Sequence, residues 1–444
     1  MCCAPLIAVS AFSADWPQYY GPKRDSTSTE KGLLRIWPEE GLKVLWTAPL
    51  GIGFGAAAVS AGKVYLLDRE DKVGDTLRVF DLSNGKELWN FAYAGPGKVE
   101  FPGSRSTPTV DGERVYTVGM VGDLYCFSTT TQKPVWHKNI WTDFGGGSGV
   151  PATPFSRPIE GGQLPIWGIV QNPLIYRNLL IVASQAPQAG VVAYDKATGD
   201  IKWKTAPLTG MTSQSSPLNS GTSYVTPSLV KVGAEDQLVM ITAAQGFGRA
   251  ASGGRVNGID PLTGKIQWTY TNFNCWIPVA HAVDAGEGRM LLAGGYNAGS
   301  AMIQVAKKTD GTYGVTELFK NPDFGSHTQP PILYNDNFYV QYTTNERRDG
   351  MVSMNMSGEV KWKTGQSPAF VRGGAILVDG LILATDGSKK LYLIDPDPAG
   401  FKTLASAELM EAGNNWAPLA LADGKLLLRD QKKLIVVQVA QQGK

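Results

Sequence analysis

The sequence predicts an all-β chain folded as an eight-bladed β-propeller, with four antiparallel strands per blade and an N-terminal strand completing the last blade. Three observations predict it. A unit of paired alternating strands recurs and ends in tryptophan, glycine-bearing tight turns fall at a fixed place in that unit, and the final unit is one strand short. Composition agrees: 52 Gly and 27 Pro among 444 residues, with 43% hydrophobic residues, suit many short strands joined by turns.

The unit is clearest at 112–136, GERVYTVGMVGDLYCFSTTTQKPVW, and relatives end at Trp89, Trp203, Trp268 and Trp362. Before the terminal strand stand Asn84-Gly85, Thr198-Gly199, Thr263-Gly264 and Ser357-Gly358, which supply the positive φ that tight hairpins need. Four strands cannot cover both of their own faces, so units must stack, and a closed ring leaves only short edges. The spacing places blades near 55–92, 106–139, 170–206, 223–271, 277–320, 328–364, 372–409 and 415–440. The fifth and seventh lack the tryptophan. The eighth offers three strands, while KVLWTAPL at 43–50 is an outer strand with Trp46 and nothing before it. Pairing the two closes the ring. Tryptophans recurring at one blade position are expected to wedge between neighbouring blades.

Most blades open with a small or polar residue and then proline (Pro108, Pro173, Pro227, Pro331, Pro418), because a first strand residue can lack its N–H without losing a ladder bond. Residues just ahead of these prolines, and those that precede the other innermost strands, are expected to crowd one mouth of the central channel. They include the guanidiniums of Arg105 and Arg372, the amides of Gln171, Asn172, Gln329, Asn414 and Asn415, and Ser106. The aromatics Tyr224, Trp276 and Trp416 and the imidazoles of His281 and His327 complete the set. Such a collection suits hydrogen bonding and stacking with a sugar, a quinone or a peptide segment. Carboxylates are scarce in it, so no acid–base pair is apparent; Asp143, in a Gly-rich loop, is the nearest. No histidine has a partner at metal-ligand spacing. The glycines of 245–258 precede no helix, which removes a phosphate-loop reading.

The formal charge of +2, from 41 basic and 39 acidic residues, gives no electrostatic footprint for nucleic acid. Residues 1–14, MCCAPLIAVSAFSA, read as the remnant of a secretory leader and are too short to span a membrane. An extension at 15–42 and one propeller domain at 43–444 follow. Without the leader's Cys2 and Cys3, only Cys126 and Cys275 remain, too few for a disulfide framework or zinc cluster.

The segments DWPQYYGPKRDSTST (15–29), SRSTPTVDGERVYTVG, DFGGG and LADGKLLLRDQ resemble exported PQQ-like β-propeller repeat proteins of the planctomycete type. These are related to BamB-type scaffolds and, more distantly, to quinoprotein alcohol dehydrogenases. The resemblance covers 15 to about 440. It implies export, and in the dehydrogenase branch pyrroloquinoline quinone with calcium, an Asp base and adjacent cysteines. The expected function is a non-catalytic binding or scaffold propeller of the cell envelope with a protein partner or a small ligand at the channel mouth. The alternatives are a quinone-dependent oxidoreductase, or a carbohydrate-active enzyme using His281 or His327 with Arg105 or Arg372.

Overall fold

In the computed structural model the described residues are 15–147, 164–210, 222–246 and 250–441, so the predicted leader and much of the 141–168 loop lie outside them. Eight antiparallel sheets form the propeller. Blades 1 to 7 follow the chain at 58–94, 109–139, 174–204, 228–270, 283–321, 332–363 and 375–408, each running from innermost to outermost strand. Blade 8 takes Ala420–Ala422, Lys425–Arg429 and Lys433–Gln438 from one end of the chain and Val44–Pro49 from the other. Val44 stands opposite Val437 and Pro49 opposite Lys433, so the ring closes as predicted. A 3-10 turn at Thr142–Phe144 is the only helical element among the described residues.

Burial follows strand position. Second strands such as Lys63–Glu70 and Leu179–Ala186 are covered on both faces by neighbouring blades, and their apolar runs are nearly continuous. Outer strands such as Glu87–Ala94 alternate between half-covered and exposed residues, the period-two pattern of a one-sided strand. Cys126 and Cys275 are free and buried in these interblade layers.

The tail tryptophans bolt blade to blade. The indole N–H of Trp46 donates to the Leu82 carbonyl of blade 1 at 2.9 Å, and Trp136 reaches Lys196 of blade 3 at 3.2 Å. Trp203 reaches Pro261 of blade 4 at 3.2 Å and Trp362 reaches Asp397 of blade 7 at 2.9 Å. Each acceptor belongs to the turn that leads into the next blade's outer strand. The turn glycine has a second duty there, since a Cβ on Gly199 would meet the Trp136 ring at 2.8 Å. Blade 5, without a tryptophan, sets Phe319 against Gly358 in the same way. Two tryptophans differ: Trp89 faces Phe127 of blade 2 with ring centroids 6.3 Å apart, and Trp268 lies over Gly258 of its own blade. Gly199→Ala is therefore expected to lose about 2–4 kcal/mol, from a side chain at φ +76° plus the clash. Gly233→Ala, with φ +63° and nothing within 4 Å, should lose only about 1–2 kcal/mol in the same urea titration.

Residues 15–33 cross the ring. Trp16 bridges Val59 of blade 1 through two backbone bonds of 2.9 and 2.8 Å, and the Pro17 carbonyl accepts the Val110 amide of blade 2. Arg24 Nη1 donates to the Pro173 carbonyl at blade 3. Thr27 and Ser28 then pair in parallel with Leu377 and Val378, adding a fifth, channel-side strand to blade 7. Glu30 accepts the Asp423 and Gly424 amides of blade 8 at 2.9 and 2.7 Å, before Leu33 bridges Ala440. The turns are tight: Tyr20, Gly21, Arg24 and Ser26 all have φ between +60° and +83°, a region most side chains avoid. The segment plugs the channel.

Candidate functional site

The plug divides the channel into two cavities. The larger-walled one, about 340 Å³, opens where the innermost strands begin. Antiparallel order explains who meets there: the start of each first strand, the hairpin between the second and third strands, and the exit from the fourth all face the same end of a blade. Of the residues predicted to ring this mouth, Arg105, Asn172, Tyr224 and His327 line the cavity, as do Gln329, Arg372 and Trp416. Tyr19 and Tyr20 of the plug line it as well.

The remaining predicted mouth residues are elsewhere. Gln171 is fully buried behind the wall, its Nε2 donating to the Ser223 carbonyl at 3.1 Å, and Ser106 bonds the Val118 carbonyl. Trp276 packs edge-on against Tyr296, with ring centroids 5.3 Å apart, one layer out. The Asn414 carbonyl accepts the Gln431 amide at 2.7 Å, while Asn415 caps the Ser388 and Glu411 carbonyls. His281 corrects the expectation most clearly. It lines the second cavity, of about 460 Å³, where the inner strands of blades 3 to 6 end, and its ring faces Tyr20 at 5.5 Å and Tyr19 at 6.2 Å. Asp143 is also absent from the mouth; its Oδ2 accepts the Asn139 amide at 3.0 Å.

Sequence reasoning missed the cavity's aromatic collar. Phe54 precedes blade 1, Phe101 and Trp167 come from the long entries to blades 2 and 3, and Tyr296 and Asn345 sit on second-to-third-strand hairpins. Centroid distances of 5.6 Å (Phe54–Trp416), 5.7 Å (Phe101–Trp416), 6.3 Å (Phe101–Trp167) and 5.0 Å (Trp167–Tyr224) make the collar nearly continuous. The readable signal was blade topology, which brings those hairpins to the same end as the prolines.

Two cations sit in the collar. The Arg105 guanidinium lies 5.0 Å over Phe54 and donates to the Glu100 and Phe101 carbonyls. Arg372 lies 4.7 Å over Trp416 and reaches Asn345 Oδ1 at 3.3 Å. Burial pulls Arg105 down to about 10, still charged at neutral pH, and lowers Arg372 too. Burial, with the Arg372 charge beside it, pushes the His327 imidazole down to about 3, so it is neutral. Burial also raises the Tyr224 phenol well above its ordinary range. The one carboxylate on the wall, Glu100, accepts the Trp167 indole N–H at 3.2 Å. Arg105 Nε, Arg372 Nε, His327 Nδ1 and Gln329 Oε1 are buried without a protein hydrogen-bond partner, while the Tyr224 phenol has the Trp167 backbone beside it. Asn172 is saturated by Thr107 and Thr226 and serves the frame.

The dehydrogenase branch of the resemblance implies a calcium ion beside the quinone and an adjacent-cysteine platform. Among the described residues no three His, Cys, Asp or Glu side chains are placed to hold a metal ion. Cys126 and Cys275 lie in different blades and cannot form an adjacent-cysteine platform.

Similarity in fold is broad. The structure of BamB from Moraxella catarrhalis aligns at TM-score 0.55 and 15% identity, covering 89% of this chain and 99% of that one. Quinohemoprotein alcohol dehydrogenase from Comamonas testosteroni aligns at TM-score 0.63 and 12% identity, over 97% and 81% of the two chains. A europium-containing methanol dehydrogenase aligns at 0.61 and 13%, over 96% and 89%. Comparison with curated protein sequences gives no significant match. Among the described residues no helix is long and apolar enough to cross a membrane. With repeats, ring closure and blade register all in place, and residues 73–364 matching the family described as outer membrane protein assembly factor BamB, the chain belongs to that PQQ-like propeller family.

Proposed function

We propose that the protein is an exported, non-catalytic binding propeller of the cell envelope, with the mouth cavity as its ligand seat. The observation that carries this reading is the convergence of two guanidiniums, an aromatic collar and four polar atoms without protein partners on one wall. Small-ligand sites pair apolar faces with a few placed polar groups in this manner. Catalysis has less support. A general acid must hold its proton near neutral pH, which a histidine pushed down to about 3 does not. Family membership and the leader-like residues 1–14 support the envelope location.

A ligand of this seat is expected to stabilise the full chain by about 2.7 kcal/mol at one hundred times its Kd, without being turned over. Thermal unfolding with and without ligand, followed by chromatography of the recovered ligand, measures both. Recovery of a converted product would overturn the non-catalytic reading. Pyrroloquinoline quinone with calcium ions is expected to give neither a shifted absorbance band nor stabilisation; a calcium-dependent shift would favour the oxidoreductase.

A further inference from the structure

We infer that the mouth cavity takes an acidic sugar, a pyranose ring bearing a carboxylate, as a mono- or disaccharide. The inference rests on the binding reading above and fails separately from it. It starts from how this chain treats its other covered arginines. Arg69 is paired with Asp75 at 2.8 Å, Arg78 with Glu87 at 2.6 Å, and Arg347 with Asp323 and Asp349 at 2.7 Å. Arg429 has Asp68 at 3.6 Å. Arg105 and Arg372 break that habit, as does Arg24 of the plug, which bonds only the Gln18 amide oxygen and the Pro173 carbonyl. The partners of Arg105 and Arg372 are carbonyl and amide oxygens, and among the described residues no carboxylate oxygen comes within 4.0 Å of either. Glu100, the wall's one carboxylate, is engaged by Trp167. Glu100 and Glu346 act on these two partly desolvated cations only from beyond 4.0 Å, so neither guanidinium has a paired carboxylate, the group it can grip with two parallel N–H bonds.

The rest of the wall speaks for hydroxyls on the same ligand. Tyr224 Oη, beside the Trp167 backbone, can still donate, the neutral His327 imidazole can donate or accept, and Gln329 Oε1 accepts. A sugar hydroxyl, donor and acceptor at once, satisfies all three. A flat aromatic acid without a ring hydroxyl offers no such donor to Gln329. Phe101 and Trp167, half-buried on the cavity wall, supply ring surface against which the C–H face of a pyranose can lie. A cavity of about 340 Å³ sits at the small end of ligand pockets, in keeping with one or two rings.

The test is isothermal titration of the full chain with digalacturonate, with neutral galactobiose and with pyrroloquinoline quinone. Digalacturonate is expected to bind at least tenfold tighter than galactobiose and to weaken as salt rises. Arg372→Gln, at a partly exposed position, should collapse the acid-to-neutral ratio toward one, and Arg105→Lys should reduce it about tenfold while keeping the charge. Equal affinity for the acidic and neutral sugars, or an unchanged ratio in both folded variants, overturns the proposal. So does tighter binding of the quinone than of digalacturonate. If none of the three binds, the acidic-sugar proposal falls, while stabilisation by another small molecule lost in Trp416→Ala would leave the binding reading standing.

Discussion

Replacing Trp16 by alanine is expected to remove about 3–5 kcal/mol of the stability that holds the channel plug, the range for deleting a fully buried indole. Trp16 is 1% exposed and is among the largest fully buried side chains in the protein. It packs over Gly21, where a Cβ would strike its ring at 2.8 Å, and it joins the large apolar cluster shared by blades 1, 7 and 8. Its neighbours in the plug hold costly left-handed conformations at Tyr20, Arg24 and Ser26, which persist only while surrounding contacts enforce them. Without the indole, the segment should peel locally while the eight blades stay folded. Hydrogen exchange reads this directly. The amides of Val59, Val110 and Leu377 donate to Trp16, Pro17 and Ser26 carbonyls, so three innermost strands in three separate blades should lose protection together. Loss of the floor formed by Tyr19 and Tyr20 should also weaken ligand binding at the mouth. Unchanged exchange at those three amides would show that the plug is held by something else.

Lowering the pH from 7 to 5 is expected to destabilise the protein by about 3 kcal/mol, and two histidines account for it. Burial, with Arg24 nearby, pushes His281 down to about 3, and burial with Arg372 nearby does the same to His327. A histidine held below its unfolded value of about 6.5 takes up its proton in the unfolded chain first. Its stabilisation is therefore full above that value and is lost as pH falls toward 3, by about 2 kcal/mol per residue at pH 5. Asp75 works in the opposite sense. Burial raises its carboxyl to about 6 although Arg69 pulls it down, so the folded state gains on its protonation and offsets about 1 kcal/mol between pH 6 and 5. Urea unfolding at both pH values measures the sum, and His281→Gln and His327→Gln should each remove close to half of the histidine part. Equal stability at pH 7 and 5 in the unsubstituted chain contradicts the buried, neutral state of both rings.

Most of the ring was legible because each blade repeats the same local chemistry. Alternation and the terminal tryptophans mark every unit but the fifth and seventh, and turn glycines mark four of the units. The missing strand of blade 8 and the orphan strand around Trp46 could be matched by counting. The wedge role of the tryptophans followed from their recurrence, and the acceptor carbonyls in the neighbouring turns bear it out. The plug was not legible. Residues 15–33 have no period, and their partners lie far away in sequence, up to 394 positions between Glu30 and Gly424. The mouth was half legible for a related reason. Prolines locate the starts of inner strands, which led to Arg105, Tyr224, Gln329 and Trp416, and the repeat spacing alone led to Arg372. Tyr296 and Asn345 arrive on hairpins whose sequences carry no such mark. His281 misled because it precedes an inner strand of only two residues, Val283–Asp284, and turns toward the plug.

The most direct measurement is a crystal structure of the full chain grown with digalacturonate. The account predicts density for the sugar in the mouth cavity, between the Phe101–Trp416 faces and the plug tyrosines, with its carboxylate against Arg105 or Arg372. A sugar bound on the outer blade surfaces, or in the cavity beside His281 with the mouth unfilled, would contradict it.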